Sequence, residues 1–580
     1  MAARRAGRRL TTAHLRLGVL GVGFALAWLG MGFRLYHVQV VQAPALAVEG
    51  AEQRQTERQL LPQRGNIFDR NGDPLAMTVE AMSIYAHPAE LEEPLFVAQQ
   101  VGGLLGREPN QLLTELQSGA GFVYLKRQVE LDLAEQVMSL EIPGIYSHDE
   151  AKRVYPTGTI ASHVIGFVNV DGIGLEGIEY EFEDQLRGVP GIVSFEQAPS
   201  GVPIPWAPSE SVPAVPGDDL ITTIDLPIQY TAEQACQETV ILTSATGCWV
   251  VAIEVETGAV LAIAGSPHFD PLLRMGSDGS PFANFAVRGM YEPGSTQKLI
   301  TVAAAIDEGV VSPDTVIGSV TDQIELRPGA CKSTTDEVFG CYSDFIRHET
   351  RDMAVVDVFR ESSNVGTIRI AQMMTREQIA EYLNLFGLGE PTGLDYPGEA
   401  SGLINLDPSC QTCPLSAAIG YGVAVTPLQM AAAYGAVGND GVWIQPHILE
   451  FSHGLGGRNE EYVAANHQVV SERTAYLMRQ LLSQVVEAGT GISAQIPGYE
   501  VGGKTGTADK LGEDGRYSDI TMASFVGLAP IDDPKIVVSV VVDGPAYEFR
   551  TGGLAATPAF AQVMEQALHR LGVTPDAAGG

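Results

Sequence analysis

The chain has 580 residues, too many for a single hydrophobic core, and its ordinary apolar content of 45% excludes wholesale disorder. A formal net charge of −35 leaves no broad basic surface and argues against nucleic acid as a partner. Lysine is scarce, with seven in all, so a lysine inside a motif carries more information than usual.

The N-terminus departs from this acidity. Arg4, Arg5, Arg8, Arg9 and Arg16 precede the uncharged run Leu17–Phe33. A helix over that run spans about 26 Å, and Leu35, Tyr36 and Val38 extend it toward the ~30 Å of a hydrocarbon core. The basic flank predicts a cytoplasmic tail over residues 1–16, a single-pass membrane anchor over 17–38 and an external body after it. A cleaved signal peptide is the competing reading, because "APALA" (Ala43–Ala47) has small residues at suitable spacing. The apolar run is longer than such peptides carry.

Further along, Asn71-Gly72 in "LPQRGNIFDRNGDPLAM" predicts a hairpin, and "LDLAEQVMSLEI" (131–142) a helix. His163, near Gly166, reads as a structural histidine. Pro199, Pro203, Pro205, Pro208, Pro213 and Pro216 mark a boundary or an extended arm. They divide a non-catalytic pedestal over 39–210 from a second domain over 211–575. In that domain "LITTIDLPIQYTAEQACQETV" predicts a short strand and a long helix, and "CWVVAIEVETGAVLAIAG" (248–265) a hairpin. Residues 295–450 read as largely helical. Strands return from 501, in "MASFVGLAP" and "KIVVSVVVDG", before a terminal helix over 557–572. Strands at both ends with helices between predict an α+β domain, its sheet assembled from distant parts of the chain.

Six cysteines, at 236, 248, 331, 341, 410 and 413, would lie in the external body, where disulfides are permitted. Cys331 and Cys341 flank a polar loop and are the preferred pair. Cys410–Cys413 stays open between a tight disulfide, a redox pair and two free thiols. A lone Cys-x-x-Cys lacks the two further ligands of a zinc centre, so no metal site is read.

Three stretches carry chemistry. In "YEPGSTQK" Ser295 and Lys298 are three apart and share a helix face. A serine there is by itself an ordinary helix cap. As a nucleophile it needs a base, and a lysine serves only when partly neutral, which burial beside another cation favours. "RESSNVGT" supplies Ser362, Ser363 and Asn364, alone no more than a polar cap. "VGGKTGTADK" supplies Lys504, Thr505, Gly506 and Thr507, alone a turn at a strand end. In this order they match the Ser-x-x-Lys, Ser-x-Asn and Lys-Thr-Gly set of penicilloyl serine enzymes, with Lys504 as the second cation.

On these residues the chain resembles the class B penicillin-binding proteins, the anchored peptidoglycan transpeptidases, and within them the division-associated branch. "SAAIGYGVAVTPLQMAAAYGAVGNDG" (416–441) resembles the segment after the second motif. "RGNIFDRNGDPLA" (64–76), "RVYPTG" (153–158) and "GLEGIEYEFEDQLRGVPG" (174–191) resemble the family's pedestal. The resemblance implies a β-rich pedestal followed by a transpeptidase domain with an antiparallel sheet and helices, similar to serine β-lactamases. It implies D-Ala–D-Ala transpeptidation without a cofactor. Ser295 would be acylated, with Lys298 as base, Ser362 as proton relay, Asn364 on the substrate amide and Lys504 polarising the network. Thr505, Gly506, Thr507 and Ser363 would contact substrate, and the N–H groups of Ser295 and Thr507 would form the oxyanion hole. Stem peptides, β-lactams as covalent inhibitors, a membrane-embedded glycan polymerase and division proteins are the implied partners. D,D-carboxypeptidases and serine β-lactamases share the site's chemistry; a β-lactam sensor or a scaffold would be its non-catalytic counterparts. Two features depart from the family pattern: the cysteines, and Gln297 in place of an aromatic or aliphatic residue. The Gln297 amide is expected either to enter the cleft or to face solvent.

Overall fold

The computed structural model describes residues 12–46, 55–196, 210–273, 282–332, 340–453, 459–512 and 517–575. Arg4, Arg5, Arg8 and Arg9, prolines 199 to 208 and the middle of the Cys331–Cys341 loop lie outside the described residues. The chain forms two compact units, residues 1–62 with 189–215, and residues 63–188 with 216–580.

The first unit contains the helix Thr12–Tyr36, prolonged by a π-helical turn His37–Val41. From Leu17 to Phe33 its side chains are apolar all round and exposed, Trp28 by 71%, so this stretch has no polar face to turn to water. Among the described residues it is the one helix long and apolar enough to cross a membrane. The unit also holds a three-stranded antiparallel sheet of Gln55–Leu60, Gly191–Glu196 and Glu210–Val212.

In the second unit the predicted hairpin forms. Ile67 pairs with Ala76 and Phe68 with Pro74, and Gly72 takes φ +88°, which only glycine adopts cheaply. Strand Pro74–Ala86 also pairs with Val123–Val129 and with Ile145–Val154. Helices Pro109–Leu116 and Leu131–Met138 supply Leu112, Leu116, Ala134 and Val137 to the cluster that buries Ile84 and Leu125. Asp219–Thr222 lies parallel to Ile67–Phe68 on one side and antiparallel to Leu449–His453 on the other. Hydrogen bonding therefore runs unbroken from the pedestal strands into a strand contributed from the far half of the chain.

Three motifs of this region converge on one carboxylate. Glu179 is fully buried and accepts from Arg64 Nε and from Arg153 Nε, both at 2.7 Å. Arg64 also donates to Glu183 at 2.6 Å and to the Glu179 carbonyl at 2.7 Å. Arg153 donates to the Gly65 carbonyl at 2.7 Å and to Thr78 at 3.0 Å. Tyr155 completes the shell, donating to Glu179 at 3.4 Å and accepting from the Val168 N–H. Burial requires this pairing, since a lone charge there is strongly disfavoured.

The largest antiparallel sheet of the second unit has five strands in the order Val260–Ser266, Gly247–Glu254, Ile536–Asp543, Tyr517–Ala529, Gly502–Leu511. Every residue of Ile536–Asp543 is buried, so its apolar run is continuous rather than alternating. Helices Leu226–Thr243 and Thr557–Arg570 bury one face through Ile228, Phe560 and Met564. Pro427–Gly438 and Glu472–Ala488 cover the other through Leu428, Met430, Met478 and Leu482. The sheet is thus built from both ends of the domain, and the fold is α+β. His163 is buried with its ring edge-on to Phe269 and its carbonyl accepting from Tyr396, a packing position.

All six cysteines are paired. Cys331–Cys341 forms as expected, and Cys410–Cys413 is a tight disulfide. The third, Cys236–Cys248, ties the helix Leu226–Thr243 to the adjoining strand and was given by no local signal.

Candidate active site

Glycines bring three backbone segments together at the turn that carries Ser295. Gly294, at φ +53°, opens a 3-10 turn that runs into the helix Lys298–Asp307. A Cβ on Gly294 would lie 2.8 Å from the Thr507 carbonyl oxygen. A Cβ on Gly506 would lie 2.7 Å from the Pro293 carbonyl and 2.3 Å from Ser524 Oγ. Gly420, at φ +86°, presses its α-carbon on Gly294, where a Cβ would come within 2.2 Å of the carbonyl oxygen. The glycines of the Lys-Thr-Gly and Gly-x-Gly stretches are there for close approach. Gly420→Ala is expected to displace the turn and slow acylation by a labelled penicillin at least about 100-fold, because catalysis is sensitive to displacements of an ångström.

Every side chain of the helix Lys298–Asp307 except the last is buried, and this is why Lys298 is buried too. Lys298 and Lys504 are both fully inaccessible, and their amines converge on one residue. Lys298 Nζ donates to the Ser362 carbonyl at 2.7 Å and to Ser362 Oγ at 3.3 Å. Lys504 Nζ donates to Ser362 Oγ at 2.9 Å and to the Thr505 carbonyl at 3.2 Å. Ser362 itself sits at φ +61°, unusual for a side-chain-bearing residue. Ser295 is half-buried, and its hydroxyl has no protein partner among the described residues.

Burial pulls Lys298 down to about 7, partly opposed by the charge of Asp344. Lys504 is pushed well below the lysine range by burial and by the charge of Lys298. The lysine placed by the sequence as second cation is therefore as averse to its charge as Lys298. Two amines this close titrate as a pair, and near neutrality at least one is free to take a proton.

The remaining residues divide. Asn364 Nδ2 donates to the Ser343 carbonyl at 2.8 Å, leaving Oδ1 without a protein partner among the described residues. Thr507 Oγ1 accepts from the Gly552 N–H at 3.2 Å. Thr505 is mostly buried, its hydroxyl 2.7 Å from that of Thr490. Ser363, expected to touch substrate, is instead a helix cap: its buried hydroxyl donates to Asp344 at 2.7 Å and accepts from the Gly366 N–H at 2.9 Å. Gln297 meets neither expectation. It is fully buried, facing no solvent, and neither amide atom has a hydrogen-bond partner among the described residues. Gln297→Met is expected to raise folding stability by about 1–2 kcal/mol, measurable by denaturant titration, because it removes two unsatisfied polar groups at near-constant shape.

Asp344 and the cluster around Glu292 carry no signal in the sequence. Glu292 accepts from the Gly422 N–H at 2.8 Å and from Tyr517 at 2.9 Å. Tyr421 lies between Tyr517 and Tyr342, with ring centres 6.1 and 6.0 Å away. Nothing in the local sequence signals these contacts, which join residues up to 225 positions apart.

The penicillin-binding protein transpeptidase domain matches residues 248–565, and the penicillin-binding protein dimerisation domain matches 59–222. The chain is a class B penicillin-binding protein. It is a serine-type D,D-transpeptidase of the division-associated branch, acting on peptidoglycan. Similar relatives include penicillin-binding protein PbpB of Mycobacterium tuberculosis, 32% identical over 94% of this chain and 83% of that protein. Peptidoglycan D,D-transpeptidase FtsI of Escherichia coli is 30% identical over 94% of this chain and 90% of its own. Among solved structures, a peptidoglycan synthetase from Bifidobacterium adolescentis superposes with a TM-score of 0.72 at 26% identity, covering 91% of this chain and 98% of that one. Penicillin-binding protein 3 of M. tuberculosis complexed with aztreonam gives 0.69 at 28% identity, covering 90% and 98%. In this penicillin-binding protein the three motifs meet at Ser362, whose hydroxyl accepts from both Lys298 and Lys504.

Proposed function

We propose that Ser295 is the acylated nucleophile and Lys298 its base, in cross-linking of stem peptides during septal wall synthesis. The convergence of both buried lysine amines on Ser362, with Lys298 one turn along from Ser295, carries this reading. The neutral Lys298 amine takes the Ser295 proton as Oγ bonds to the penultimate D-alanine carbonyl carbon. Ser362 relays that proton to the departing amine, the C–N bond breaks, and D-alanine leaves. An acceptor amine then attacks the ester carbonyl, its proton returns through the same groups, and the Oγ–C bond breaks. The Ser295 N–H lies in the first turn, where a helix offers it no acceptor, and with the Thr507 N–H it forms the oxyanion hole. Asn364 Oδ1 accepts from the substrate amide, and Thr505, Gly506 and Thr507 line the terminal carboxylate. A β-lactam acylates the same serine.

The helix His14–Val41 supports a single-pass anchor, with the N-terminus inside and the catalytic domain outside. The division 39–210 and 211–575 serves as pedestal and transpeptidase domain. A membrane-embedded glycan polymerase and division proteins are the partners that fit this arrangement.

Reaction products test the proposal. With nascent peptidoglycan strands the protein is expected to release D-alanine and form cross-linked dimers. Release of D-alanine with only trimmed monomers would show a carboxypeptidase, and rapid turnover of a bound penicillin a β-lactamase. Acylation should also rise with pH through about 7, as the lowered Lys298 loses its proton.

A further inference from the structure

Asp344 follows the short strand Cys341–Ser343 and is buried. Its Oδ2 accepts from Ser363 Oγ at 2.7 Å and lies 2.9 Å from His348 Nε2. Its Oδ1 accepts from the Val365 N–H at 3.0 Å. The preceding Ser343 carbonyl accepts from Asn364 at 2.8 Å. Residues 343 and 344 thus grip 363, 364 and 365, the three positions that follow Ser362. A side-chain-bearing residue at positive φ is strained and persists only where its surroundings over-determine it. Here the surroundings include that grip.

Charge points the same way. Asp344 is the carboxylate that opposes the loss of charge at Lys298, whereas the charge acting on Lys504 is that of Lys298. On its other side Asp344 faces His348, which it keeps protonated to higher pH than an ordinary histidine, with Arg351 acting against that.

We propose that Asp344 is a positioning residue for transpeptidation: its carboxylate clamps the turn that carries Ser362 and supplies the negative charge that Lys298 otherwise lacks. The proposal rests on Lys298 being the base. It acts through Ser363 and Val365 and not on substrate.

Acylation by a fluorescent penicillin, followed by stopped flow on the full-length protein across the neutral range, tests it. The parent rate should rise through about pH 7. Asp344→Asn keeps the shape and an acceptor for Val365 while losing the charge. It is expected to lower the plateau about tenfold and to move the midpoint about one pH unit lower. Ser363→Ala should lower the plateau with the midpoint unmoved, since the charge stays. If Asp344→Asn does not fold, His348→Gln decides: unmasking the carboxylate should move the midpoint to higher pH. A midpoint equal to the parent's in the folded variant overturns the proposal. A parent rate flat through neutrality overturns instead the assignment of Lys298 as base.

Discussion

Lys298→Met is expected to slow acylation by a labelled penicillin about 10²–10⁴-fold while leaving the protein at least as stable as the parent. Both halves follow from burial. Lys298 is fully inaccessible in a helix that is apolar on all sides, so its ammonium is disfavoured and its free amine is available near pH 7. Methionine fills a similar volume without a charge, and folding loses only the bonds to Ser362. In the proposed mechanism the chemical step loses the acceptor for the Ser295 proton. Lys298→Arg separates base from charge: a guanidinium keeps the positive charge but cannot become neutral, so it should be as slow as methionine. Near-parental acylation by Lys298→Arg would mean that the lysine acts through its charge alone.

Glu179→Ala is expected to destabilise the second unit by about 3–5 kcal/mol, read as a lowered denaturation midpoint of the full-length protein. The substitution leaves Arg64 and Arg153 buried, each with its main partner removed. Replacing Arg64, Arg153 and Glu179 together by apolar residues of matching volume should recover most of the loss. The expense lies in an unpaired buried charge, not in the absence of an ion pair. If the single and triple variants are equally unstable, the network is instead needed for its geometry.

That network also explains what the pedestal motifs are for. As sequence, Arg64, Arg153 and Glu179 are separate family-like stretches; in the fold they are one buried cluster. The hairpin at Asn71-Gly72, the catalytic-domain strands and the three catalytic motifs were legible because turn chemistry, apolar runs and motif spacing are local signals. Asp344 was not: its importance depends on Ser363 and Val365, 19 and 21 positions away, and no local pattern encodes that. Cys236–Cys248 stayed hidden because spacing does not determine pairing. Leu449–His453 joined the pedestal sheet because strand partners are chosen by the whole fold. Gln297 defied a rule, since a buried polar side chain ordinarily finds a partner.

The proposed acyl-enzyme forms on Ser295, the residue that follows the Pro293-Gly294 turn. Its most direct test is to locate the penicilloyl group by mass spectrometry of the digested full-length protein. A single modified peptide with the added mass on Ser295 is expected, and no adduct in Ser295→Ala. A penicilloyl group on any other residue, or an adduct that survives in Ser295→Ala, would contradict it.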